Sequence, residues 1–229
     1  MPKKTGIFVP ARLSSQRLPN KQILPIGNTC MFDICCSKLN ELDPEINKYV
    51  LIYDKELIDI AAKYPNIEII LRDEETAKAE TPLVYIFKDI LDVEDDYLMF
   101  LNPCLIFLSP STIEGAIHTF NNMDEAEYAT SVKELKNWII DDEGNNVNQM
   151  DYDKLTTKEI IPWYQTAHCF HIFNKNRFQE DGLMLKEGFL PIIIPNAERE
   201  CIDIDTFEDY EFAKWKWEKE MQEMGEMML

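Results

Sequence analysis

The sequence predicts an α/β protein whose mostly parallel sheet is covered by helices on both faces and interrupted by one hairpin arm. Three observations carry this expectation. Apolar runs of about five residues are nearly continuous, as in strands buried on both faces. They alternate with segments of helical periodicity, the pattern of strand–helix–strand units. The alternation breaks only between about residues 133 and 165, where a different rhythm sets in.

The elements follow in order. Thr5 to Pro10 is a first strand, and Met31 to Leu42 is a helix with Phe32, Cys35, Cys36 and Leu39 on one face. Tyr49 to Tyr53 is a second strand, followed by a helix near Lys55 to Lys63. Ile67 to Leu71 is a third, followed by a helix from Pro82 to Leu91, and Tyr97 to Leu101 is a fourth. The next helix opens at Ser109, a capping residue, with Pro110 at the first helical position. Trp138 to Val147 reads as a hairpin, because Asp141-Asp142-Glu143-Gly144-Asn145-Asn146 is rich in turn formers. The parallel pattern is expected to resume at Cys169 to Asn174 and to continue through Ile192–Ile194 and a strand at Cys201–Asp205. A last helix runs from Thr206 to about Met221, with Phe207, Tyr210, Ala213, Trp217 and Met221 on one face. With no internal repeat and no flexible linker, residues 1–229 read as one domain carrying an inserted arm.

Composition narrows the functional classes. The net charge of -19, from 42 acidic and 23 basic residues, repels nucleic acid and anionic membranes, so neither is an expected partner. No apolar run approaches the roughly 18 residues of a membrane helix. The first apolar run is too short for a signal-peptide core, and the cytoplasm is the expected location. The cysteines (Cys30, Cys35, Cys36, Cys104, Cys169, Cys201) form no CxxC pair, and with His118, His168 and His171 they complete no zinc pattern, so they read as buried thiols.

In so acidic a chain, a local concentration of cations stands out. The loop after the first strand, Pro10-Ala11-Arg12-Leu13-Ser14-Ser15-Gln16-Arg17-Leu18-Pro19-Asn20-Lys21, gathers three cations and two hydroxyls. It lies where open α/β sheets bind ligands, at the carboxyl end of a strand. Arginine clamps phosphate oxygens in pairs and lysine adds a mobile point charge, so the loop suits a polyphosphate. A solvated loop with surface ion pairs is the other reading of the same charges.

This loop resembles the N-terminal signature of the cytidylyltransferases that activate sialic acids, related nonulosonic acids and 2-keto-3-deoxy sugar acids. Leu101-Asn102-Pro103-Cys104 with Leu108-Ser109-Pro110, and Glu200 to Asp209 with its Ile202-Asp203-Ile204-Asp205-Thr206 core, resemble two further segments of that family. The resemblance covers nearly the whole chain and is weak between Lys133 and Gln165. It implies a three-layer α/β/α, Rossmann-like nucleotidyltransferase fold and transfer of CMP from CTP to an acidic acceptor. It further implies that Pro10, Ala11, Arg12, Ser15 and Lys21 wrap the triphosphate, with Lys21, Arg12 and Arg17 as the catalytic cations. Arg72 and Asn102 become the candidate readers of cytosine, and Asp203 and Asp205 the ligands of Mg²⁺. A homodimer built on the arm, which carries Trp138, Ile139, Ile140, Ile160, Ile161, Trp163 and Tyr164, also follows.

The residues themselves leave choices open. Asp203 and Asp205 would share one face of a strand, about 6–7 Å apart, and oxygen ligands suit Mg²⁺. Yet Asp205 or Thr206 with Asp209 also makes a helix cap, and Arg72 has Asp73 and Glu74 as neighbours for an ion pair. The loop lacks the Gly-Gly pair of the sialic-acid branch, and Asn102 and Cys104 stand where that branch has Gln and Thr. The arginine that the resemblance implies just before Cys169–Phe173 is missing, with Trp163-Tyr164-Gln165 there instead; Lys133 or Lys136 could meet an acceptor carboxylate, and either could equally be a surface residue. A metal-dependent glycosyltransferase acting on a sugar nucleotide, and a non-catalytic nucleotide binder, are the rival functional classes.

Overall fold

The structure, a computed structural model, describes residues 3–78, 81, 85, 87–148, 153, 156–158 and 160–227. In chain order its strands are β1 (Thr5–Pro10), β2 (Pro25–Ile26), β3 (Thr29–Cys30), β4 (Lys48–Ile52), β5 (Glu68–Leu71), β6 (Tyr97–Leu101), β7 (Tyr128–Leu135), β8 (Trp163–Asn174) and β9 (Leu190–Ile193). The helices are α1 (Met31–Glu41), α2 (Lys55–Ala61), α3 (Pro110–Asn121), α4 (Lys175–Asp181), α5 (Ala197–Glu200) and α6 (Phe207–Met227). Seven strands form one sheet in the order β5-β4-β1-β6-β8-β7-β9, while β2 and β3 pair separately.

Pairing is parallel from β5 through β4 and β1 to β6, and again between β7 and β9. Here the expectation for Cys169–Asn174 is corrected: β8 runs antiparallel to both β6 and β7. Among the described residues between β7 and β8 there is no crossover helix of the kind a parallel return requires, in keeping with the reversed direction.

The alternation of side chains along β1 explains the two covered faces. Ile7 and Val9 enter a core with Phe32, Cys36 and Leu39 of α1 and Ile113, Ala116 and Phe120 of α3. Phe8 points the other way, into a cluster with Phe87, Leu98, Phe173 and Phe178. Its ring lies 4.9 Å from Phe87, edge to face. Gly6 is required in β1 because a Cβ there would stand 2.6 Å from the Asp95 carboxylate. A third cluster joins Leu18 of the basic loop, Cys104, Ile106 and Phe107 after β6, and Ile204, Tyr210 and Ala213. This cluster matters for function because it ties three distant segments to one place.

Ser109 caps α3 by accepting from the Thr112 amide at 3.2 Å, with Pro110 first in the helix. The expected hairpin is present: Ile140 bridges Asn146, and Asp141 Oδ1 accepts from the Glu143 and Asn145 amides at 3.1 and 2.7 Å. Gly144 closes that turn at φ 86, a conformation that disfavours other residues. Three expectations need correction. Where a helix from Pro82 to Leu91 was expected, Phe87–Ile90 makes a 3₁₀ turn, and residues 82–84 and 86 lie outside the described set. Cys201–Asp205 is not a strand; its Cys201, Ile202 and Ile204 amides go to Ala197, Arg199 and Cys104 carbonyls, leaving no ladder to a neighbour. On α6, Tyr210 and Ala213 are buried as expected, but Phe207 and Met221 lie in solvent, because the helix rests on the third cluster along a narrower stripe. No helix among the described residues is long and apolar enough to cross a membrane.

Candidate active site

The basic loop is pinned to the sheet before it reaches its cations. Ala11 N donates to Leu51 O of β4 at 3.1 Å, and Leu13 N to Asp54 Oδ2 at 3.0 Å. Asn20 then adopts a left-handed conformation (φ 57, ψ 20), which a short amide side chain tolerates. It turns the chain into the 3₁₀ segment Lys21–Ile23 and aims Lys21 back at the sheet. Ser14 is spent on the opposite wall, donating to Ala77 O at 2.7 Å. Arg12 reaches the same wall through Nη1 to Lys78 O.

A cavity of about 440 Å³ opens at the carboxyl ends of β1 and β6. Nine of the ten residues singled out from sequence line it: Pro10, Ala11, Arg12, Ser15, Arg17, Lys21, Arg72, Asn102 and Asp205. The tenth, Asp203, stands behind the wall, bonded to Asn102. The lining also includes Gln16, Gln22, Phe100, Pro103 and Cys104. Gln22 gave no signal beyond its position next to Lys21. It is buried, and its amide nitrogen lies 3.5 Å from Cys104 Sγ.

One carboxylate organises the cations. Asp205 accepts Arg17 Nη2 on Oδ2 and Lys21 Nζ on Oδ1, each at 2.9 Å. Lys21 also donates to Ile204 O at 3.1 Å. Burial acts against the Lys21 ammonium, but the Cys104 sulfur and the Asp205 carboxylate outweigh it, and the pKa lies above the ordinary lysine value. Asp205 is not the helix cap. Thr206 takes that role in a reciprocal box: Asp209 N donates to Thr206 Oγ1 at 3.2 Å, and Thr206 N and Oγ1 donate to Asp209 Oδ2 at 2.8 Å.

Asp203 differs from Asp205. Burial and the neighbouring Asp205 charge raise its pKa, with Lys21 and Asn102 pulling the other way. Its Oδ1 is buried without a hydrogen-bond partner among the described residues, which is costly unless a ligand completes it. Its Oδ2 accepts from Asn102 Nδ2 at 3.3 Å. Asn102 Nδ2 also donates to His168 O at 3.3 Å, and Asn102 Oδ1 accepts from Cys104 N at 3.0 Å. His168 was missed by sequence reasoning. It sits at φ 52 beside a register shift in the β7–β8 ladder, a strained position that no local sequence signal announces.

Arg72 is buried at the end of β5, its Nη1 3.5 Å from Ala11 O, while Asp73 lies 3.5 Å from Lys88. Of the two lysines considered for an acceptor carboxylate, Lys136 is exposed and paired with Glu134 at 3.0 Å. Lys133 is half-buried on β7, opposite Gln165.

The profile of the cytidylyltransferase family matches residues 7–213. The chain belongs to that family. Membership makes it a CTP-dependent nucleotidyltransferase and favours nucleotidyl transfer over glycosyl transfer. Among solved structures it is similar to a CMP:2-keto-3-deoxy-manno-octonic acid synthetase complexed with CTP, at 13% identity and TM-score 0.67, covering 95% of this chain and 100% of the other. It is also similar to a cytidylyltransferase from Leptospira borgpetersenii, at 20% identity and TM-score 0.60, covering 93% and 85%. A 4-diphosphocytidyl-2C-methyl-D-erythritol synthase from Anaerococcus prevotii follows at 18% identity and TM-score 0.63, covering 94% and 96%. These likenesses confirm the Rossmann-like nucleotidyltransferase fold. No curated protein matches the chain.

Proposed function

We propose that the chain transfers CMP from CTP to a sugar acid or related acidic acceptor, releasing pyrophosphate. The observation that carries this reading is the convergence of Arg17 and Lys21 on Asp205 at the cavity wall. Two cations are held in place before any ligand arrives, by a carboxylate that phosphate oxygens can relieve. Arg12 and Ser15 complete the cradle. Lys21, the less exposed of the paired cations, stabilises charge as it grows on the departing pyrophosphate. Arg72 contacts the base. Asn102 has spent both amide protons inside the protein but keeps one lone pair on Oδ1, which suits the amino group of cytosine and not the carbonyl of uracil.

Asp203 and Asp205 would hold Mg²⁺. The fit rests on the buried Oδ1 of Asp203, which has no hydrogen-bond partner among the described residues, beside a second carboxylate. Two carboxylates suit an ion that keeps waters and binds substrate phosphates. Bound there, Mg²⁺ would supply neutralisation of phosphate charge.

The rest of the reading concerns assembly. Residues 1–229 act as one catalytic unit, and the arm pairs two copies through Ile140, Ile161, Trp163 and Tyr164, all exposed. A cytoplasmic location suits six free thiols.

A screen of pyrophosphate release with CTP, UTP or ATP against sugar acids and small phospho- and phosphono-acids tests the proposal. Release is expected with CTP and a sugar acid or a similarly acidic acceptor. Equal release with UTP, or CTP binding with no turnover across the panel, overturns it.

A further inference from the structure

Two thiols meet behind the acidic wall of the cavity. Cys169 Sγ in β8 lies 3.6 Å from Cys201 Sγ at the end of α5. Among the described residues, no other two cysteine sulfurs share a hydrogen bond. Cys169 is buried, while Cys201 is half-buried. Both are joined to the site. Asn102 N donates to Cys169 O at 3.0 Å, Asn102 Nδ2 donates to Asp203 Oδ2 at 3.3 Å, and Asp203 follows Cys201 by two residues. The two sulfurs thus close a ring that runs through the Asn102–Asp203 bridge.

We propose that Cys169 and Cys201 form a modification site at which a hydroperoxide produces an intramolecular disulfide, displacing Asp203 and weakening nucleotide binding. The sulfur of Cys201, the less buried of the two residues, attacks one peroxide oxygen. The O–O bond breaks, leaving a sulfenic acid on Cys201 and releasing water, or an alcohol from an organic peroxide. The Cys169 sulfur then attacks the Cys201 sulfur, the S–O bond breaks, and a second water leaves with the remaining thiol proton. Two thiols lose two electrons in all, and one peroxide gains them.

Geometry gives the consequence. A disulfide is about 2.05 Å long, so bonding draws the sulfurs roughly 1.5 Å closer than their 3.6 Å contact. β8 is held on both sides by β6 and β7, whereas the segment from Cys201 to Asp205 has no ladder, so that segment moves. Misplacement of about 1 Å can cost catalysis on the order of 10²-fold, and disturbing the residues around a metal site costs about 10–100-fold in metal affinity or activity.

The test treats the full chain with hydrogen peroxide, blocks free thiols with an alkylating agent and maps crosslinks by peptide mass spectrometry. One disulfide joining Cys169 to Cys201 is expected, reversed by a thiol reductant and absent from Cys201→Ser. The apparent Kd for CTP with Mg²⁺ should rise about tenfold or more in the oxidised wild type, and not in peroxide-treated Cys201→Ser. A link through Cys30, Cys35, Cys36 or Cys104, a sulfinic acid on Cys201 with Cys169 still a thiol, or a Cys169–Cys201 link with unchanged Kd each overturns the proposal. The crosslink map needs no nucleotide. A reduced protein that ignores CTP would therefore count against the functional reading and not against the site.

Discussion

The two halves of the sheet are built differently. From β5 to β6 every pairing is parallel, the strands are apolar runs, and the loops at their carboxyl ends carry Arg12, Arg17, Lys21, Arg72 and Asn102. From β8 to β9 the pairing is mixed, with β8 antiparallel to both its neighbours and β7 parallel to β9; the ladder shifts register between Thr130 and Val132, and His168 sits at positive φ. There the strands run out into the arm, where Ile161, Trp163 and Tyr164 face solvent. The contrast separates two tasks. On the proposed reading, a nucleotide of fixed shape would be served by rigid strand ends, and the acceptor and a second copy by the irregular half.

The sharpest way to break this division is to strike the cations of the regular half. Lys21→Ala should lower kcat by about 10²–10³-fold, in the range of a lost transition-state donor, with a smaller effect on CTP-induced stabilisation in a thermal-shift assay. Equal kinetics for the variant and the wild type would remove Lys21 from the reaction. A second change should touch only the other half. Ile161→Lys with Trp163→Glu should convert a dimer to a folded monomer by light scattering and raise the acceptor KM several-fold, leaving the Kd for CTP unchanged. A wild type already monomeric at working concentration would end the arm proposal. The smallest effect is expected where α6 begins. Thr206→Ala should cost about 1 kcal/mol in chemical denaturation, as for a lost cap, with turnover per folded molecule nearly intact. A loss of turnover there would mean that the box also positions Asp205.

Legibility in the sequence follows the same division. β1, β4, β5 and β6 were readable because strands buried on both faces leave uninterrupted apolar runs, and the loop after β1 because its cations interrupt an acidic chain. The reversed direction of β8 was not readable, since an apolar strand looks the same whichever way its neighbours run. Cys201–Asp205 has strand-like alternation, but a short irregular segment can bury Ile204 equally well by packing it under α6. The ambiguity over the cap is visible in the sequence, and only the folded chain shows that Thr206 takes it and releases Asp205. Asn102 could be singled out from its own segment, yet its bonds to His168 and Asp203 depend on segments far apart in the chain.

The pairing of Arg17 and Lys21 with Asp205 has a consequence for the approach of the nucleotide. A chain of net charge -19 whose paired site cations are partly neutralised presents a negative field at a distance. A triphosphate must therefore drift in against repulsion and meets attraction only at close range. Added salt shortens the Debye length to about 10 Å at 0.1 M and screens the distant repulsion before it weakens the contacts inside the cavity. Encounter with the nucleotide thus quickens as ionic strength first rises, the reverse of the behaviour of a basic protein capturing the same anion.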